Sequence, residues 1–109
     1  MNHEISEQDG FKVVSFDGDI DLETSPEARK VLLDVTSKGG STLVNLSSVS
    51  YIDSSGVASL VEALQSARKK GGSLALVSVS EEALRVLQLG RLDRVFTIHD
   101  DVAAATAAG

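Results

Sequence analysis

The sequence has no cysteine and no tryptophan, a single proline, three phenylalanines and one tyrosine. Without cysteine there can be no disulfide and no thiolate metal site, and a reducing, cytoplasmic location is expected. With so few aromatic side chains, the core must be built from Leu, Val, Ile and Ala. No apolar run approaches the ~18 residues that a spanning helix needs, so membrane insertion is not expected. The stretch from Met1 to Gly10 carries acids and lacks a basic-then-apolar pattern, so no secretory leader is read there. Basic residues are in the minority, 10 against 16 acidic, giving a net charge of −6. An acidic surface repels phosphate backbones and argues against direct nucleic-acid binding. The densest cationic group, Arg68, Lys69 and Lys70, reads as charge placed at a helix C-terminus, where it complements the helix dipole.

Catalytic signatures are also missing. There is no P-loop, no Gly-rich dinucleotide fingerprint and no supported Ser-His-acid pattern. His3 and His99 are the only histidines. His99-Asp100-Asp101 has no second cluster to complete a metal site and reads as a turn before a capped helix. No enzyme, metal or cofactor is expected.

The 109 residues are one domain's worth, 42% apolar and 24% charged. Two short strands, Glu4 to Glu7 and Phe11 to Phe16, flank Asp9-Gly10, a hairpin signal. Ala28, Val31, Leu32 and Val35 then recur with helical spacing. Two starts fit this helix: Thr24 in a capping box with Glu27, or Ser25 before Pro26. Gly39-Gly40 ends it. Thr42 to Leu46 reads as a buried strand. A second helix with Val57, Leu60, Val61 and Leu64 inside runs to about Lys70 and stops at Gly71-Gly72. Leu74 to Val79 is another strand. Ser80 caps a third helix, with Ala83, Val86 and Leu87 inside. Val95 to Ile98 is a last strand, and Asp100 is a candidate cap for a final Ala-rich helix. Alternation of this kind predicts a single α/β domain over residues 1–109. Its sheet is mixed but mainly parallel, of four to five strands, with helices packed on one face.

The most informative stretch is Tyr51-Ile52-Asp53-Ser54-Ser55-Gly56-Val57. It follows a buried strand and opens an amphipathic helix. At such a place several backbone N–H groups lack intrahelical partners and favour an anion. A serine there either caps the helix or, once phosphorylated, adds about −1.5 to −2 charge. On local physics alone, Asp53 or Ser54 is simply the N-cap. Ser55, one residue further in, is expected to bond locally to backbone.

The wider pattern resembles a known family. Gly18-Asp19-Ile20-Asp21, the helix opening at Thr24, and residues 43 to 56 ending in Asp53-Ser54-Ser55-Gly56 are similar to the STAS domain of bacterial anti-sigma-factor antagonists. So are Lys70-Gly71-Gly72, the strand from Leu74 and the stretch Leu89 to Phe96. The resemblance implies a non-catalytic partner switch. Ser54 would be the phosphorylation site, modified by an anti-sigma factor that is also a serine kinase and restored by a serine phosphatase. The unphosphorylated form would bind the anti-sigma factor and release the sigma factor. Asp21, Thr24, Asp53, Ser55 and Gly56 would form the partner-binding surface, with Asp21 equally readable as a turn aspartate. Asp19 is read as solvated. Asn45 stands where relatives often carry aspartate. A weak homodimer is allowed. A second reading, also from resemblance, is a STAS subunit of a phospholipid-transport ABC complex that binds its ATPase.

Overall fold

The computed structural model describes residues 1–108. The chain runs β1 (Asn2–Gln8), β2 (Phe11–Asp17), α1 (Ser25–Thr36), β3 (Ser41–Ser48), α2 (Ser54–Lys69) and β4 (Ser73–Val77). It continues through α3 (Glu81–Leu89), a 3-10 turn at Leu92–Arg94, β5 (Thr97–His99) and α4 (Val102–Ala108). The five strands form one sheet in the order β1-β2-β3-β4-β5. Only β1 runs antiparallel, paired from Asn2 opposite Asp17 to Gln8 opposite Phe11. The remaining neighbours are parallel. The hairpin turn is Asp9-Gly10, with φ of 52° and 83°. Positive φ at both central residues is the geometry that matches strand twist in a two-residue loop, and Asp-Gly supplies it at low cost.

From β2 onward each crossover steps to the next strand in the same direction. Crossovers of one hand then place their helices on one face. Accordingly α1, α2 and α3 share a face, packing Leu32, Leu60, Leu64 and Leu87 against Val14, Phe16, Val44, Leu46, Leu74 and Leu76. Each such Leu or Val buried contributes about 1.5–3 kcal/mol.

The expected single helix layer holds for these three helices and not for α4. Helix α4 follows the last strand, so no crossover dictates its side. It lies on the other face, where Ala105 packs with Val13, Leu43 and Val77. The adjacent apolar pairs Val13-Val14, Leu43-Val44 and Leu76-Val77 each feed both faces, as strands covered on two sides do.

Several boundaries also differ from expectation, β1 and β3 being longer than the predicted Glu4 to Glu7 and Thr42 to Leu46. Strand β4 stops at Val77 rather than Val79, because Ser78 adopts a φ of 51°. Residues 92–94 coil into the 3-10 turn behind Arg91, itself at φ 57°, so β5 begins at Thr97 rather than Val95. The residue that caps α4 is Asp101, not Asp100: its Oδ1 accepts from the Ala104 N–H at 2.7 Å.

Candidate functional site

At the C-terminal ends of β2 and β3 the chain enters α1 and α2 through two loops that are joined to each other. The Ile20 N–H donates to the Tyr51 carbonyl at 2.9 Å, and the Asp53 N–H donates to the Ile20 carbonyl at 3.2 Å. Ile20 and Ile52 form a lone parallel bridge, both with side chains fully buried. The two loops therefore behave as a short extension of the sheet.

Asp53 is the N-cap of α2, in an extended conformation. Its Oδ1 accepts from the Ser55 N–H at 2.9 Å, the Gly56 N–H at 3.2 Å and the Ser55 hydroxyl. Its Oδ2 accepts from the Leu22 N–H of the neighbouring loop at 3.1 Å. The Ser55 hydroxyl, with the N–H groups of Gly56, Ser55 and Leu22, outweighs desolvation and holds the Asp53 carboxyl below the ordinary aspartate range. The cap is thus a fixed negative charge. Ser55 bonds to this carboxylate rather than to backbone, which corrects the expectation for its hydroxyl.

Gly56 is required by contact, not by its dihedral angles. A Cβ there would sit 2.7 Å from the Ile20 carbonyl oxygen and 2.7 Å from Ile52 Cγ1. The glycine lets the first turn of α2 close onto the bridge between the loops.

Ser54, the first residue of α2, is exposed, and its hydroxyl has no hydrogen-bond partner among the described residues. The carboxylate of Asp53 already occupies two of the N–H groups that an anion would seek. The helix start is therefore not an empty cradle, which corrects the simple anion-site expectation. A group attached to Ser54 Oγ is directed outward, beside a standing charge.

Across the junction, α1 starts differently. Thr24 holds the N-cap position, but its side chain makes no capping bond, so the capping box with Glu27 does not form. Its hydroxyl turns back, donating to the Asp19 carbonyl at 2.8 Å and accepting from the Asp21 N–H at 2.9 Å. Asp21 is a turn aspartate here: its Oδ1 accepts from the N–H groups of Glu23 and Thr24, both at 3.0 Å. Asp19 is exposed and accepts from the Ser50 hydroxyl at 2.9 Å. Asn45 Oδ1 accepts from the Ser47 N–H at 2.9 Å and serves the end of β3.

Residues 2–105 match the family model described as the STAS domain. The chain belongs to the STAS domain family. Among similar curated proteins, the anti-sigma-B factor antagonist of Bacillus subtilis is 29% identical over 98 residues, 90% of each chain. That of Staphylococcus aureus is 30% identical over 101 residues, 92% of this chain and 94% of the relative. A crystal structure of a candidate anti-sigma factor antagonist from Thermotoga maritima superposes with a TM-score of 0.89 at 30% identity, covering 97% of this chain and 92% of that one.

In this STAS domain Asp21, Asp53, Ser54, Ser55 and Gly56 all gather at the two joined loops, with Thr24 just behind them. Two further residues of the surface are apolar and were not anticipated from sequence. Leu22, 78% exposed, belongs to the loop after β2, and Tyr51, 52% exposed, to the Asp53 loop itself. Their signal was available: single large apolar residues set among turn formers, with no periodic partner to bury them. Among the described residues no helix is long and apolar enough to cross a membrane.

Proposed function

We propose that this protein is an anti-sigma-factor antagonist that works by phosphorylation-controlled partner switching at Ser54. The single observation that carries the reading is the exposed, unpartnered Ser54 hydroxyl, held at the start of α2 beside the fixed Asp53 carboxylate. The anti-sigma-B factor antagonists among its relatives support the general role. In the unphosphorylated form, Leu22 and Tyr51 supply apolar contact to an anti-sigma factor that is also a serine kinase, and the sigma factor is released. Asp21, Thr24, Asp53, Ser55 and Gly56 shape this partner surface, most of them by fixing the two loops rather than by direct contact.

Phosphorylation of Ser54 sets a dianion next to Asp53. The N–H groups of Ser55 and Gly56, already engaged by Asp53, are not free to neutralise it. The new charge therefore falls on the partner, which must desolvate it or withdraw. A cost of ~1.4 to 4 kcal/mol weakens binding ~10- to 1,000-fold. A serine phosphatase resets the switch.

The test is to incubate the protein with its cognate kinase and ATP and map the product by mass spectrometry. One phosphate on Ser54 is expected, with none on Ser54→Ala and undiminished modification of Ser55→Ala. Wild-type levels of phosphorylation on Ser54→Ala would overturn the assignment.

A further inference from the structure

We infer that strand β1 is a self-pairing edge through which two copies of this chain join their sheets, with Ile5 on the two-fold axis. This inference is independent of the Ser54 reading. Strand β1 borders the sheet, and all seven of its residues are exposed. An edge strand offers a row of unpaired backbone groups, usually guarded by charge (lysine above all), proline, a bulge or extreme shortness; the charges here, Glu4 and Glu7, each meet a non-acidic residue in the self-paired ladder. The opposite edge, β5, is only three residues long. Strand β1 has seven residues, no lysine and no proline, and it pairs in unbroken register with β2.

Its sequence, Asn-His-Glu-Ile-Ser-Glu-Gln, is complementary to itself when reversed. Antiparallel pairing about Ile5 sets Asn2 opposite Gln8, His3 opposite Glu7, Glu4 opposite Ser6, and Ile5 opposite its own copy. Two amide pairs, two His–Glu pairs and one apolar pair result, and no two like charges stand directly opposite. A shift of two residues would bring Ile5 against Glu7 or His3 and would lose the match.

Pairs in an antiparallel ladder share a face, so Ile5 lies on the side of Val14, the helix-covered face. There it is 51% exposed, an unusual position for an isoleucine. Beside it a groove of about 510 Å³ runs between β1 and the end of α1, lined by Ile5, Val35, Lys12 and Lys38, among others. The symmetry-related Ile5 covers the open side of this isoleucine. Glu7 faces Lys12 within its own chain but forms no ion pair with it, so its carboxylate remains available to His3 of the second copy. The resulting ten strands form one continuous sheet, with both Ser54 sites away from the junction.

Because the chain lacks cysteine, the register can be read by single substitutions. Ile5→Cys is expected to form a covalent dimer under mild oxidation, or else a mixture of Glu4→Cys and Ser6→Cys molecules is expected to cross-link to each other. Whichever way the ladder alternates, one of these two pairs falls at a non-hydrogen-bonded position, where Cα atoms approach to about 4.5 Å. Sedimentation should show a concentration-dependent dimer. His3→Glu is expected to weaken it about 10-fold, and adding Glu7→Lys to the same chain to restore it. Thermal melting of each variant checks that these exposed changes leave the fold intact. Monomeric behaviour at about 1 mM, a concentration at which even a pair held by only ~4 kcal/mol would be half dimerised, would overturn the inference. So would a dimer that neither cross-links at these positions nor responds to His3→Glu, since it would use another surface.

Discussion

Helices α1 and α2 begin side by side but are anchored by opposite means. At α2 one carboxylate, Asp53, binds two N–H groups of its own helix, a hydroxyl and the N–H of Leu22 in the next loop. At α1 the N-cap hydroxyl of Thr24 is spent on the preceding turn, and Asp21 organises that turn from outside the helix. Rigidity is concentrated at α2. The start of α2 is held by its own cap, by the Ile20–Ile52 bridge and by the close fit at Gly56. The start of α1 leans on α2 through the bond from Leu22 to Asp53 and the Ser59 hydroxyl, which donates to the Ser25 carbonyl at 3.3 Å. Disturbing α2 should therefore loosen both starts, whereas disturbing α1 should stay local.

The most severe break in this asymmetry is Gly56→Ala. The added methyl meets backbone as well as side chain at 2.7 Å, so relief requires the two loops to separate. A loss of about 3 kcal/mol is expected from denaturant melts, with faster amide exchange in residues 19–24 as well as in α2. Next comes Asp53→Ala, expected to lower the Tm by several degrees and to speed exchange at Leu22 along with Ser55 and Gly56. Asp53→Asn separates charge from capping. The folded carboxyl titrates below the unfolded one, so the stability it adds is fully present above the unfolded value and is lost as pH falls through the folded value. The Tm gap between wild type and Asp53→Asn should therefore be full at pH 7, start to narrow at about pH 3.9 and close once the pH has fallen below the folded value. A gap independent of pH would mean that the charge is not what holds the loops.

Asp21→Ala is a smaller disturbance, about 1 kcal/mol from the lost turn bonds. Its exchange effects should be confined to residues 21–25, and spread into α2 would refute the asymmetry. Smallest of all is Ser54→Ala, expected to shift stability by no more than about 0.5 kcal/mol, because the hydroxyl is exposed and bonds to nothing. A large loss would show that this serine supports the fold.

The same contrast explains what the sequence made legible. The start of α2 is local: Asp-Ser-Ser-Gly after a buried strand announces a cap, and Asp53 caps. The start of α1 depends on a partner 31 residues away, the Leu22–Asp53 bond, which no window around Thr24 contains. The capping box stays unformed for a nearer reason: the Thr24 hydroxyl is taken by the Asp19 carbonyl and the Asp21 N–H, a turn geometry that residue types alone do not announce. The mixed, mainly parallel sheet followed from the alternation of elements, and so did the shared face of α1, α2 and α3. The side chosen by α4 did not, because its placement answers to Val13, Leu43 and Val77 on three different strands. The 3-10 turn before β5 rests on the left-handed Arg91, a conformation for which arginine gives no warning. Gly56 was readable as part of a resemblance, but its reason, close approach to Ile20, lay in the other loop.

Tyr51 has one more consequence. With tryptophan absent, near-ultraviolet emission from this chain comes almost wholly from a single phenol, half-exposed and three residues ahead of Ser54. The molecule carries its own optical reporter at the surface where partners are expected to dock. A tryptophan-bearing protein settling there would quench that emission by energy transfer, so association and release can be followed in real time, without dye or tag, on the unaltered chain.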